Sequence, residues 1–227
     1  MTPVLTLDIE TIPSQQPGLK ERIRETIKPP GNISKADTIA KWMTENTESA
    51  AEEAFRKTAC DGTQGEIVCI SYAIEACGVR NVWRDLNGSE TDLLYDFFRD
   101  VREMIGDQLP FFVGHNILGF DLRFIFQRCV IRGVKPPFPL RQDARYNGDH
   151  VFDTMLAWAG WGNRVKLATI CEVLGIPVKS DGIDGSRVWD EVLAGNADRV
   201  AAYCNEDVEA TREVYRRMTF QERKEAA

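Results

Sequence analysis

Apolar and polar positions alternate at the start of the chain and then give way to longer spacings. Residues 3–9 alternate apolar with small or polar side chains and end in LDIET, the pattern of a buried strand. Prolines 13 and 17 break the regularity, and a short helix is expected over residues 19–27, ended by KPPG. Residues 34–59 read as a second helix, rich in acidic and small residues, with Ile39, Trp42, Met43 and Phe55 as its apolar contacts. The spacer DGTQG returns the chain to strand structure. Residues 66–76 and 79–85 are β-rich, and the break at Cys77-Gly78 predicts a hairpin.

Helical spacing dominates the rest. Leu93, Leu94, Phe97, Phe98, Val101 and Ile105 recur on one face of an amphipathic helix over residues 89–105. A short apolar strand at 110–114 precedes a helix over 119–132 that opens near Asp121, and a proline-rich connection follows. Helices are predicted over 151–158, 166–174 and 188–194, with a long final helix over 198–218. Trp158 and Trp161 are assigned to the core rather than to a stacking platform, by the burial tendency of their residue type. An early hairpin followed by alternating strands and helices predicts an α/β domain with a mixed sheet covered by helices. One domain over residues 1–227 is expected, carrying a helical insert at about 14–64.

Composition narrows the class. With 43% hydrophobic and 28% charged residues the chain is ordinary for a globular protein, and no run of about 18 apolar residues predicts a membrane span. The N-terminus lacks the basic start and apolar stretch of an export signal, so a cytoplasmic location is expected. Six cysteines without a C-x-x-C pair predict reduced, mostly buried thiols, and two histidines, His115 and His150, leave little for a His-based zinc site. The net charge of −7 argues against nucleic acid binding over the whole surface. Locally the balance reverses: Arg123, Arg128, Arg132, Lys135, Arg141 and Arg145 face only Asp143 in that stretch. It reads either as a solvated basic face or as a phosphate contact, with Arg123, Arg128 and Lys166 as phosphate candidates.

Three stretches carry candidate chemistry. In a strand, Asp8 and Glu10 stand side by side on one face, where like charges repel unless something offsets them. In GHNILGFDLRFI, Asp121 opens a helix after an apolar strand, and either caps that helix or points into the cleft at the strand ends. In YCNEDVEATREVY, Tyr203 and Asp207 are four apart and share a helix face. Asp153 is read as a helix-capping acid, and the segment KSDGIDGSRVW as a surface turn or a backbone approach to nucleic acid.

Asp8-Ile9-Glu10-Thr11, Gly114-His115-Asn116 with Phe120-Asp121, and Tyr203 with Asp207, in this order, resemble the motifs of the DEDD (DnaQ-like) superfamily of 3'-5' exonucleases in its tyrosine branch. Within it, the chain is most similar to the predicted exonucleases related to the proofreading domain of family B DNA polymerases. The three-residue spacing between Asn116 and Phe120-Asp121 resembles that type, while the long insert after the first motif departs from it. The resemblance implies an RNase H-like sheet of about five strands. It implies two Mg²⁺ or Mn²⁺ ions held by Asp8, Glu10, Asp121 and Asp207. Tyr203 would orient the attacking water, and Thr11, Asn116 and Phe120 would contact the strand. The implied substrate is single-stranded DNA or a frayed 3' end, with RNA possible, and a separate polymerase or repair partner is conceivable. The competing readings are a non-catalytic nucleic-acid-binding module on the same fold and an RNA-processing nuclease.

Overall fold

The computed structural model describes residues 2–75, 77–148, 150–177 and 184–221. The part of the expected 179–189 turn from 179 to 183 therefore lies outside the described residues, as does the charged end from 222. In chain order the elements are β1 (Val4–Ile12), α1 (Leu19–Thr26), α2 (Ala36–Lys57), β2 (Glu66–Ile74), β3 (Arg80–Trp83), α3 (Glu90–Ile105) and β4 (Phe111–Gly114). They continue with α4 (Asp121–Arg132), β5 (Val151–Asp153), α5 (Thr154–Ala159), α6 (Leu167–Leu174), α7 (Val188–Leu193) and α8 (Ala197–Met218). The chain forms two compact units, one of residues 1–10 with 67–227 and one of residues 11–66.

The larger unit is built on a five-stranded sheet in the order β3-β2-β1-β4-β5. β2 and β3 pair antiparallel, as the hairpin pattern predicts, whereas β1, β4 and β5 run parallel. The sheet is therefore mixed, with helices on both faces. Leu5, Leu7 and Ile9 leave one face of β1 and join Phe97, Phe98, Leu122 and Ile125 of α3 and α4 in the main core. Tyr72 of β2 meets Phe97 edge to face at 5.3 Å and donates its hydroxyl to Asp100 at 3.0 Å. α8 covers the opposite face, where Asn205 accepts from Ser71 of β2 and Asn81 of β3. Alternation along β1 thus sends its odd positions into the core and its even positions, Asp8 and Glu10, toward α8.

The segment predicted as one helix over 151–158 differs. Val151–Asp153 forms the short edge strand β5, and α5 begins at Thr154. Asp153 is the switch: its carboxylate accepts from the Met155 and Leu156 amides and caps α5, as a capping acid should. A strand of three residues is too short for its period to show. Trp158 and Trp161, expected in the core, are 44% and 75% exposed. Trp158 lies on the exposed side of α5, and Trp161 in the turn that follows it.

The smaller unit contains the helical segment expected after the first motif. α1 has no buried residue and α2 buries only Ala51. They pack together, with Lys20 bridging to Glu52 at 2.7 Å and Arg24 to Glu48 at 3.1 Å. Exposed pairs of this kind each contribute at most about 1 kcal/mol. Gly65 fits tightly, since a Cβ there would come within 2.6 Å of the Thr58 carbonyl oxygen.

Candidate active site

Parallel pairing sets the end of β4 beside β1, and the loop after β4 carries the second motif back to it. That loop is tightly specified. Asn116 adopts φ 64°, and a Cβ on Gly119 would approach the Asn116 Oδ1 to 2.4 Å, so any larger residue there would have to push the Asn116 amide aside. Asp153 holds the loop from the next strand. Its Oδ1 accepts from the Asn116 amide at 3.0 Å and its Oδ2 from the Leu118 amide at 3.1 Å. With the two α5 amides, four backbone N–H groups converge on this one carboxylate. The result is to place Asp121, 3% exposed, at the start of α4 with its Oδ1 accepting from the Ile9 amide at 3.2 Å. Ile9 lies between Asp8 and Glu10, so the backbone of the first motif grips the acid of the second.

α8 supplies the third side. Tyr203 and Asp207, one turn apart, are hydrogen-bond partners, and the Asp8 and Glu10 carboxylates also act on the Tyr203 hydroxyl. Between them, Cys204 donates its thiol to the Asp8 Oδ2 at 3.3 Å and to the Asp8 carbonyl oxygen at 3.5 Å. Donor atoms of Asp8, Glu10 and Cys204 all lie within 4.8 Å of one another. Cys69 of β2 lies beneath, interacting with both Cys204 and Glu10.

Charge is concentrated here. Burial, followed by the charges of Asp121, Glu10 and Asp207, raises Asp8 well above the usual carboxylate range, against a smaller lowering by the Cys204 hydrogen bond. Glu10 is raised likewise, by burial and then by Asp207, Cys69 and Asp121. Burial pushes Asp121 up to about 7, although the Ile9 amide opposes it, and pushes Asp207 up to about 6 against the Tyr203 hydrogen bond. Burial and the neighbouring acids hold the Tyr203 phenol far above its ordinary value. Among the described residues, no cationic side chain is one of the groups acting on these four acids. A water-poor set of carboxylate oxygens to which the described residues supply no counter-charge suits hard divalent cations, Mg²⁺ or Mn²⁺.

The structure therefore brings Asp8, Glu10, Asp121, Tyr203 and Asp207 together from three distant stretches. The other expected residues have the following surroundings. Thr11 lies in the smaller unit and donates its hydroxyl to the Ala59 carbonyl oxygen at 2.7 Å. Asn116 shapes its own loop. Phe120 is half-buried against the core, its ring 5.2 Å from that of Phe124. Arg128, a phosphate candidate by sequence, is instead buried against Glu90, to which it donates at 2.7 Å. His115 is held at both ring nitrogens, by the Thr154 hydroxyl at 3.0 Å and the Val165 carbonyl oxygen at 2.9 Å. Burial lowers its pKa, and it serves the loop rather than the acids. Sequence reasoning missed Cys204 and Cys69. The signal for Cys204 was its place three residues before Asp207, on the same helix face.

A mixed sheet in this order, with an acidic pocket between its first strand and its last helix, is the architecture of an RNase H-like exonuclease domain. The chain belongs to the family described as predicted 3'-5' exonucleases related to the exonuclease domain of PolB, whose model matches residues 63–224. Among solved structures it is similar to the family B DNA polymerase from the hyperthermophilic archaeon Pyrobaculum calidifontis, with a TM-score of 0.56 and 15% identity. That likeness covers 96% of this chain and 25% of the polymerase chain, so it speaks for the fold. No curated protein matches the chain. Among the described residues, no helix is long and apolar enough to cross a membrane.

Proposed function

We propose that this chain is a metal-dependent 3'-5' exonuclease that hydrolyses the terminal phosphodiester of single-stranded DNA, with RNA as a second possible substrate. The observation that carries the reading is the gathering of Asp8, Glu10, Asp121 and Asp207, with no cationic side chain among the described residues acting on them. Asp8, Glu10 and Asp207 would hold one divalent ion, and Asp8 with Asp121 a second. Two such ions supply an activated water and charge stabilisation at the leaving oxygen.

The chain's own groups do the remaining work. Tyr203 stays a neutral phenol at physiological pH, so it orients the attacking water by a hydrogen bond and does not take its proton. The Ile9 amide keeps Asp121 in place, and Asp153 keeps the loop that delivers it. Water adds to the terminal phosphorus and the bond to the 3' oxygen of the preceding nucleotide breaks. A nucleoside 5'-monophosphate leaves and a new 3' hydroxyl remains. Such an activity suits a role beside a separate polymerase or in repair.

The deciding experiment is digestion of 5'-labelled and 3'-labelled oligonucleotides with Mg²⁺ or Mn²⁺, on single-stranded DNA, duplex DNA and RNA in parallel. Mononucleotides released from the 3' end of single strands are expected. Internal cuts, or binding without cleavage under any metal, would overturn the reading.

A further inference from the structure

The turn after α5 presents an indole to solvent for which neither fold nor acidic pocket has a use. Trp161 is 75% exposed. It stands between Gly160 at φ 77° and Gly162 at φ 80°, so the backbone turns through left-handed conformations on both sides of it. A single exposed apolar side chain is ordinary. This one lines a groove of about 360 Å³ together with Arg123, Arg145 and Arg164. All three arginines are exposed. Arg123 makes one long contact, at 3.5 Å to the Gln142 carbonyl oxygen, and among the described residues none of the three forms an ion pair. In a chain of net charge −7 with 35 acidic residues, three guanidinium groups around one groove without an acidic partner depart from the surface average. The acid that does line the groove, Asp153, has its carboxylate covered by four backbone N–H groups.

The groove is also bordered by the second motif. Asn116 and Gly119, in the turn that leads to Asp121, form one of its walls, and Arg123 is on the first turn of α4 after Asp121. A flat π face set among cations matches a nucleic acid strand in both its parts, bases for stacking and phosphates for ion pairing.

We propose that this groove is the track of the single-stranded substrate upstream of the scissile bond, with a base stacked on Trp161 and phosphates held by Arg123, Arg145 and Arg164. The proposal rests on the nuclease reading for the direction of the strand, but not for its binding.

The test is equilibrium binding of a 5'-fluorescein oligo(dT) to the full chain by anisotropy, in EDTA so that no cleavage occurs. Trp161→Ala is expected to weaken binding roughly tenfold, and Trp161→Phe to weaken it less, since a smaller ring still stacks. The double variant Arg145→Ala/Arg164→Ala is expected to make the slope of log K against log salt shallower by about 1.4, about 0.7 for each phosphate lost. Wild-type affinity and slope in all three variants overturn the proposal. So does equal, Trp161-dependent binding of poly-glutamate of matched charge. Wild-type cleavage of the same oligonucleotide with Mg²⁺ reports separately. Cleavage with unchanged variant affinities removes the groove and keeps the nuclease, whereas Trp161-dependent binding with no cleavage does the reverse.

Discussion

Two buried acidic centres in the larger unit meet the same electrostatic problem in opposite ways. Glu90, at the start of α3, is 3% exposed, yet its pKa is lowered despite burial. Arg128 donates to it at 2.7 Å, Arg132 at 2.6 Å and the Ile67 amide at 2.7 Å. Asp8, Glu10, Asp121 and Asp207 lie in the same unit, with no arginine among the described residues acting on them, and are all raised. Burial alone does not decide the state of a carboxylate; the presence or absence of a built-in counter-ion does. Glu90 is completed by the chain itself, and we read the second centre as waiting for cations from outside.

Removing the internal counter-ion of the first centre should turn it into a worse version of the second. Arg128→Ala leaves Glu90 buried with only Arg132 as a cation and is expected to cost about 3–5 kcal/mol in a urea titration. An unchanged midpoint would mean that the pair contributes nothing. The corresponding change in the second centre should do the opposite to stability. Asp8→Ala removes one of several mutually repelling acids, so the metal-free protein should be at least as stable at pH 8, while nuclease activity falls roughly a thousandfold, several kcal/mol of transition-state stabilisation. A wild-type rate in Asp8→Ala would remove the catalytic assignment. Tyr203→Phe deletes a donor without touching the charges and should slow turnover roughly a hundredfold while leaving Mn²⁺ affinity, read by titration calorimetry, as in wild type.

The two centres should also answer pH with opposite signs. An acid raised in the folded state keeps its proton longer than in the unfolded chain, so the folded protein binds more protons above the ordinary value of about 4. The contribution of Asp121 and Asp207 is therefore lost as pH rises through their folded values of about 7 and about 6. Glu90, being lowered, contributes above its ordinary range and loses that contribution as pH falls. In thermal melts, Mg²⁺ or Mn²⁺ should raise Tm more at pH 8 than at pH 5, and equal rises at both would contradict the scheme. The mildest change is Cys204→Ala, which removes one donor to Asp8 and should shift metal affinity by less than about tenfold, since a net hydrogen bond is worth about 1 kcal/mol.

Periodicity made most of the fold legible. The apolar face of α3, the alternation along β1 and the break between β2 and β3 can all be read from residue order, because each repeats long enough to be counted. β5 could not be read in this way. Its three residues run directly into α5, and only Asp153, a capping acid, marks the boundary. The acids of the pocket were visible because carboxylates in an apolar setting call for an explanation. Cys204 was hidden among its neighbours because a thiol reads as a small apolar side chain, and its hydrogen bond to Asp8 depends on α8 lying over β1. Trp161 was misplaced because residue type predicts burial on average, whereas two left-handed glycines decide where this indole goes.

The bond from the Ile9 amide to Asp121 is made by the main chain. Evolution can therefore exchange the side chain at position 9 for any that fills the space and still keep the first and second acids tied. Only an imino acid, which lacks the amide hydrogen, severs that tie, and a backbone ester at the same place would sever it with every side chain left intact.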